Sequence, residues 1–279
     1  MRAKRPRQPF VLLFLSELFC WTVCTGCSLV HGQRYRDFAT QTPIGKGDVL
    51  ILGFMGGRDS WDTNNALRRL ALKLRSRTNA GFRVETVENK KKALAIELVR
   101  KAFDRDRNGQ LNERERASAR LILYGQSFGG AAVVKLARQL KSMAVPILLT
   151  VQIDSVGRGD RVIPSNVAQA ANLFQRNGLL IRGEPEIVPE DPDRTTIIGN
   201  FEFDYRRKEV DVSQVRWHKK IFRVAHSKME HDPDVWAKVE ELILDAANIS
   251  QPAAYDRPTL SLEAPPYVAS NNLFHCKNE

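Results

Sequence analysis

Cysteine is scarce in this sequence, with four residues among 279. Three of them, Cys20, Cys24 and Cys27, lie near the amino terminus, and Cys276 lies close to the carboxyl terminus. A disulfide framework inside the fold is therefore excluded. The chain does not need one, because a polypeptide of this length buries roughly 70–75% of the surface that it exposes when unfolded.

Long apolar runs are lacking as well. The one candidate, residues 10–23, is interrupted by Glu17, whereas a membrane-spanning helix needs about 20 consecutive apolar residues. The run follows a basic segment at residues 1–7 and ends at small residues, which is the order found in secretory signals. We therefore predict a signal peptide over residues 1–26 and a secreted or periplasmic protein.

The end of this segment leaves two alternatives open. Residues 24–27, Cys-Thr-Gly-Cys, resemble a bacterial lipobox, in which the cysteine is lipidated and becomes the new amino terminus. Lipidation of Cys27 would make the protein a membrane-anchored lipoprotein. In the other alternative, the apolar segment is not cleaved and stays attached as an anchor.

Clustered positive charge of the kind that binds nucleic acid is also missing. The chain has a formal charge of +11, with 43 basic and 32 acidic side chains. Removal of the predicted signal takes away four basic residues and one acidic residue, which leaves a formal charge of +8. The basic residues are scattered, which favours a solvated surface over a nucleic-acid groove. We therefore expect no nucleic-acid partner.

Apolar runs of strand length alternate with segments of helical periodicity. The predicted strands are 48–53, 82–87, 121–124, 145–153, 195–205 and 221–225, and the predicted helices include 92–103, 131–141 and 167–176. This alternation predicts an α/β fold, with a mostly parallel sheet of about six strands and helices on both faces. We place this domain at residues 27–250 and predict a flexible, proline-containing tail at 251–279. The long excursion at 155–193 is typical of a functional segment such as a lid.

The first chemical motif is a G-x-S-x-G sequence at residues 125–129, between a predicted strand and a predicted helix. In this context a serine lies on a tight turn that exposes its hydroxyl above the sheet. The two glycines permit the close backbone approach that such a turn needs. The following helix directs N–H groups toward developing negative charge. We therefore predict that Ser127 is a nucleophile.

With this motif between a strand and a helix, residues 48–248 resemble the α/β-hydrolase family. In that family the chain order is nucleophile, acid and histidine, and this sequence supplies Ser127, Asp154 and His226 in the same order. The resemblance implies that His226 moves the proton and that Asp154 orients it. It also implies a serine hydrolase of the esterase, lipase or thioesterase type.

Two of these assignments have competitors. Most members of the family place the acid one strand later, where Asp204 is the alternative, whereas some lipases place it at the position of Asp154. We favour Asp154 because it follows an apolar strand, where a carboxylate needs a partner. His231 competes with His226, and we expect it to be a surface or capping residue.

An oxyanion hole needs two backbone donors. The resemblance implies that one is the N–H of Phe128, directly after the nucleophile. The other is expected from the glycine-rich loop at residues 53–57, which resembles the family's His-Gly-x loop but has Leu52 at the histidine position. Phe54 is the first candidate for this donor, and Met55 is the second.

A second motif, residues 104–115, matches the loop of an EF-hand and follows a predicted helix. Its proposed metal ligands are Asp104, Asp106, Asn108, the carbonyl of Gln110, Asn112 through water, and a bidentate Glu115. Gly109 occupies the sharp-turn position. Calcium prefers such oxygen ligands, and the alternative is a solvated charged turn. No second EF-hand follows, so we expect one structural Ca²⁺ rather than a sensor.

The motifs together predict an exported serine hydrolase that cleaves an ester or thioester through an acyl-Ser127 intermediate. The expected substrate is a small acyl ester or a lipid-like ester. The alternative is a non-catalytic, calcium-binding interaction protein on a hydrolase fold.

Overall fold

The computed structural model describes residues 32–77, 81–178, 181–213 and 224–248. These residues belong to one compact unit. The predicted signal peptide, Cys27 and the predicted tail lie outside them. Among the described helices, none is both long enough and apolar enough to cross a membrane.

Six parallel strands form the central sheet in the order β2-β1-β3-β4-β6-β8. The strands in chain order are β1 (Val49–Phe54), β2 (Phe82–Val87), β3 (Leu121–Gln126), β4 (Ile147–Ile153), β5 (Val162–Ile163), β6 (Val167–Phe174), β7 (Val188–Pro189) and β8 (Thr196–Glu202). The two short strands β5 and β7 form a separate parallel pair.

Helices occur between or after these strands. They are α1 (Ala66–Arg75), α2 (Lys92–Phe103), α3 (Glu113–Ala117), α4 (Phe128–Ser142), α5 (Val224–His231) and α6 (Pro233–Asn248), with a short 3₁₀ helix at Tyr35–Asp37. The α1 helix shows why the sequence folds in this way. Its apolar residues recur at helical spacing, and the side chain of Asn65 caps its amino terminus by accepting the N–H of Arg68 at 3.0 Å.

Alternate residues of β1 belong to two separate hydrophobic clusters. Val49 and Ile51 belong to the cluster that contains the buried faces of α1 and α6. Leu50 and Leu52 belong to the cluster that contains the buried residues of α2 and α4. The sheet is therefore covered by helices on both faces, and β1 is buried along its whole length. This arrangement confirms the predicted α/β fold class, with a parallel sheet of six strands and helices on both faces.

Two element predictions need correction. Residues 167–174 form the buried strand β6 and not a helix. Both faces of β6 are covered, so its sequence lacks the polar-apolar alternation that identifies a strand. The excursion at 155–193 therefore contributes β6 to the sheet, and its first residues, Val156 to Arg158, line the cavity described below. Of the strand predicted at 221–225, residues 221–223 lie outside the described residues, and Val224 and Ala225 begin α5.

All the strand pairs of the sheet are parallel, so the carboxyl ends of the strands share one edge. The segments that follow β1, β3, β4 and β6 therefore meet there, although they are far apart in the sequence. In open α/β sheets this edge is where ligands bind.

Candidate active site

Ser127 lies at the turn between β3 and α4 in a strained backbone conformation. Its φ is 56° and its ψ is −123°, a region that residues other than glycine rarely adopt. Its N–H donates to the carbonyl of Ile153 in β4 at 2.8 Å, and its carbonyl accepts the N–H of Gly130 at 3.0 Å. Hydrogen bonds at both the N–H and the carbonyl of Ser127 thus hold the turn in place.

Two glycines make this turn possible. A Cβ on Gly125 would overlap the backbone of Gly129, and a Cβ on Gly129 would overlap the carbonyl oxygen of Phe54 in β1. The helix therefore begins directly against the backbone of the neighbouring strand. This close approach is the one that the G-x-S-x-G motif predicts at both glycines.

Asp154 and His226 form a short, buried contact. Asp154 directly follows β4, has a φ of 43° and is fully buried. Its Oδ2 lies 2.6 Å from Nδ1 of His226, which is also buried. An ionised carboxylate can only accept a hydrogen bond, so Nδ1 carries the proton. In the neutral ring Nε2 is then the basic nitrogen.

Gln175 is a further contact of this carboxylate that the sequence did not reveal. It directly follows β6 and is fully buried. Its Nε2 lies 3.1 Å from Oδ2 and 3.3 Å from Oδ1 of Asp154, and its Oε1 accepts the N–H of Gly178 at 2.8 Å. Because β6 was predicted as a helix, Gln175 was not expected at the same edge. A polar residue directly after a buried strand was the signal that could have identified it.

The alternative acid, Asp204, lies after β8 and is ion-paired with Arg206, with 2.6 Å between Nη2 and Oδ2. The hydrogen bond from the Arg206 side chain lowers the pKa of Asp204 to about 2. Of the two candidate acids, Asp154 contacts His226, whereas Asp204 pairs with Arg206. His231 is the last residue of α5, and its Nδ1 lies 2.9 Å from the carbonyl oxygen of Ser227.

The α5–α6 junction, just after His226, is fixed by Asp232. This side chain is fully buried, accepts the hydroxyl of Tyr205 at 2.8 Å and pairs with Lys208 at 2.7 Å. Burial raises the pKa of Tyr205, so its phenol stays protonated and donates this hydrogen bond. The turn after β8 thus anchors the segment that carries His226.

The predicted oxyanion donors are only partly supported by their positions. Phe128 is the first residue of α4 and lies on the cavity beside Ser127. Phe54, in contrast, is the last residue of β1. The N–H groups of Val49 and Met55 donate toward β2, and that of Leu50 donates toward β3. In a parallel ladder this alternation directs the N–H of Phe54 toward β3, so neither Phe54 nor Met55 has a spare N–H.

Two residues further on, the same loop faces the cavity. Gly56 and Gly57 line it, and a Cβ on Gly56 would lie 3.3 Å from the Cβ of Ser127. The loop is held by Asn89, whose Nδ2 donates to the carbonyls of Met55 at 3.0 Å and Gly57 at 2.8 Å. This role of Asn89 was not predicted from the sequence. Its position two residues after the end of β2 is a weak clue.

Ser127 and His226 open into one cavity of about 1160 Å³. Its walls come from the segments after β1, β2 and β4 and from α4 and α5. The volume is comparable to that of pockets that hold small organic ligands. Ser127, the His226–Asp154 pair and the glycine-rich loop after β1 therefore meet at a space large enough for a small organic ligand.

The second predicted site lies between α2 and α3. One carboxylate oxygen from each of Asp104, Asp106 and Glu115 lies within 4.8 Å of the others. The loop is closed by backbone donors, with the N–H groups of Asn108 and Gly109 donating to Asp104 at 3.1 and 2.8 Å. These three carboxylates and the turn at Gly109 are brought together as the motif predicts.

Side chains of the loop also make hydrogen bonds with one another and with the backbone. Asn108 donates from Nδ2 to Asp106 at 3.0 Å, and its Oδ1 accepts the N–H of Gln110 at 2.8 Å. The side-chain oxygen of Asn112 caps α3 by accepting the N–H of Glu115 at 3.1 Å. Glu115 in turn accepts the N–H groups of Asn112 at 2.9 Å and Arg105 at 2.7 Å.

Comparison with known proteins adds little to these observations. No family model matches the sequence, and no curated protein matches it either. A solved structure of a dienelactone hydrolase-like promiscuous phosphotriesterase from metagenomic libraries is similar to this chain with a TM-score of 0.33 and 12% sequence identity. The similarity covers 75% of this chain and 87% of that one. So low a TM-score carries no argument, and the fold class rests on the sheet topology.

Substitution of Gly129 by alanine tests the packing of the turn. Helix propensity alone predicts that Gly129→Ala stabilises α4 by about 1 kcal/mol. Because the new Cβ would overlap the carbonyl oxygen of Phe54, we expect destabilisation by about 1–3 kcal/mol instead. Urea denaturation measures the sign, and a stabilised variant would show that the helix does not begin against β1.

Proposed function

We propose that the protein is a serine hydrolase that cleaves an ester or thioester through an acyl-Ser127 intermediate. The observation that carries the proposal is the 2.6 Å contact between Asp154 Oδ2 and His226 Nδ1, with His226 and Ser127 on one cavity. The strained turn at Ser127 supports it, because such strain persists where the surrounding structure enforces it and is often part of a mechanism.

In the first half of the reaction, Oγ of Ser127 attacks the carbonyl carbon of the substrate while Nε2 of His226 accepts the hydroxyl proton. The N–H of Phe128 and an N–H of the Gly56–Gly57 segment stabilise the negative oxygen of the tetrahedral intermediate. The intermediate collapses, the bond to the leaving group breaks, and the leaving group takes the proton from His226.

In the second half, water attacks the acyl carbon and gives a proton to His226. The bond to Oγ then breaks, the carboxylic acid leaves, and Ser127 regains its proton. Asp154 keeps Nδ1 protonated throughout and stabilises the imidazolium. Gln175 keeps the carboxylate oriented by donating to it.

Labelling by a fluorophosphonate probe tests the nucleophile. Ser127→Ala removes the attacking oxygen, so we expect no labelling and a loss of turnover of about 10⁴–10⁶-fold on chromogenic esters. Ser142→Ala, at the exposed end of α4, is the matched control and should behave as the wild type. Labelling of the Ser127→Ala protein at the wild-type rate would exclude Ser127 as the nucleophile.

Two equivalent substitutions test the acid. Asp154→Asn should lower kcat by about 10³–10⁴-fold, because an amide favours the wrong tautomer of His226. Asp204→Asn makes the same chemical change at an exposed ion pair and should leave kcat within about twofold. Steady-state kinetics on one chromogenic ester compares them. A larger loss in Asp204→Asn would assign the acid to the segment after β8.

We propose in addition that residues 104–115 bind one Ca²⁺. The donor set fits, because two oxygens of one Ca²⁺ site lie up to about 5 Å apart when each is 2.3–2.6 Å from the ion, and the three carboxylates meet that limit. Three arginines in the loop, Arg105, Arg107 and Arg114, reduce the affinity by repulsion. We therefore expect a Kd of about 10⁻⁴–10⁻³ M, as in extracellular modules.

The position of the loop favours a structural role for the ion. It joins α2 to α3, and α3 leads into β3, the strand that ends at Ser127. Bound Ca²⁺ would supply positive charge to the three carboxylates and hold the two helix ends together. No step of the proposed reaction needs it.

Melting temperature measures this role. A ligand at about 30 times its Kd stabilises the folded state by about 2 kcal/mol, which is about 4–8 °C for a domain of this size. Excess calcium should raise the Tm of the wild type by this amount, whereas Glu115→Gln should barely respond. Glu113→Gln, an exposed neighbour with the same loss of charge, should respond as the wild type does. Equal Tm values with calcium and with chelator would exclude the site.

We also propose that the protein is exported and has no nucleic-acid partner. The support for export is the pattern of residues 1–26, and the millimolar calcium outside the cytoplasm suits a weak site. Fractionation of cells that express the full chain should recover it outside the cytoplasm. Loss of membrane association in Cys27→Ser would identify the lipoprotein, and cytoplasmic recovery of the uncleaved chain would contradict export.

A further inference from the structure

The cavity at Ser127 is rich in positive charge. Five basic residues line it, Arg58, Lys90, Lys92, Lys135 and Arg158. Against them stand two carboxylates, Asp59 and Glu230. With His226 neutral, the lining carries three net positive charges.

These cations come from separate parts of the chain. Arg58 follows β1, Lys90 and Lys92 lie between β2 and the first turn of α2, Lys135 is in α4, and Arg158 follows β4. The fold therefore gathers positive charge from four segments around one opening. A single charged surface helix would not give this distribution.

The five cations also differ from many other basic residues of the fold in their lack of ion-pair partners among the described residues. Arg75, Lys141 and Lys208, for example, form ion pairs with Glu85, Glu190 and Asp232. Within the part of the chain that the structure describes, none of the five cavity cations forms an ion pair with an acidic residue. Their charge is therefore left to act on what enters the cavity.

Few of the residues that line the cavity have nonpolar side chains. The nonpolar side chains on the cavity are Phe128, Ala131, Ala132 and Val156. A long acyl chain needs a continuous apolar wall, because its binding depends on the apolar area removed from water. The lining therefore favours a charged substrate over a lipid-like one.

We propose that the substrate is an anionic ester or thioester, with a negative charge on the acyl or the alcohol side of the scissile bond. This inference rests on the proposed serine hydrolase function and adds the substrate class to it. A cleft lined by charge of one sign, with walls of low dielectric constant, concentrates ligands of the opposite charge and accelerates their association. Neutral esters gain nothing from this field.

Two pairs of esters test the charge preference. The first pair places the charge on the acyl side, with 4-nitrophenyl hydrogen adipate against its methyl ester. The second pair places it on the alcohol side, with 3-(4-acetoxyphenyl)propionate against its methyl ester. In at least one pair we expect kcat/KM to be higher for the anion by on the order of tenfold at low salt. The ratio should fall as salt is added, because a Debye length of about 3 Å at 1 M screens the field.

Charge variants then assign the preference to the cavity. Lys135→Gln and Arg158→Gln should each lower the ratio of anionic to neutral kcat/KM, and Glu230→Gln should raise it. Arg69→Gln is the matched control, since this exposed residue of α1 lies outside the cavity and carries the same charge. It should leave the ratio unchanged. An equal fall in Arg69→Gln would assign the effect to the charge of the whole protein and overturn the inference.

Equilibrium binding separates this inference from the proposed function. The Ser127→Ala protein should bind the anionic member of the preferred pair more tightly than its methyl ester, and the difference should shrink with salt. Equal affinities, or equal kcat/KM values in both pairs, would overturn the anionic substrate class while leaving the hydrolase intact. Tighter anion binding without hydrolysis or probe labelling would overturn the hydrolase and leave the anion-selective cavity.

Discussion

The parallel direction of the six strands is the constraint on which the candidate site depends. Every strand of the sheet ends at the same edge, so residues that follow different strands become neighbours although they are far apart in the sequence. Ser127 follows β3, Asp154 follows β4 and Gln175 follows β6. The burial of the sheet between two layers of helices fixes the strands in register, and the register fixes the distances at the edge.

A buried carboxylate at this edge is costly unless donors surround it. Asp154 meets the requirement with the imidazole of His226 and the amide of Gln175. These two donors come from α5 and from the segment after β6, so the charge ties two distant parts of the chain together. The desolvation of the buried carboxylate makes its hydrogen bond to the imidazole necessary, and this hydrogen bond keeps the imidazole in one orientation.

The sequence was informative where a residue type is dictated by local chemistry. The G-x-S-x-G turn, the strand before it and the helix after it follow from glycine sterics and apolar periodicity. The pairing of Asp154 with His226 followed from the family resemblance and from the cost of burying a carboxylate. Whether the three residues act in catalysis stays a prediction.

The sequence was uninformative where tertiary packing decides. A strand covered on both faces loses its alternation, so β6 could not be told from a helix, and Gln175 was missed with it. The ladder alternation directs the N–H of Phe54 toward β3 and away from the predicted role as a donor, and no residue type encodes that direction. Asn89 was missed because an asparagine after a strand is also an ordinary turn residue.

The carboxylate of Glu115 joins the two ends of the loop at residues 104–115. It accepts the N–H groups of Arg105 near the start of the loop and of Asn112 near its end. A cation at the proposed site would share these oxygens with the backbone N–H groups. Loss of this one carboxylate would therefore release both ends of the loop at once.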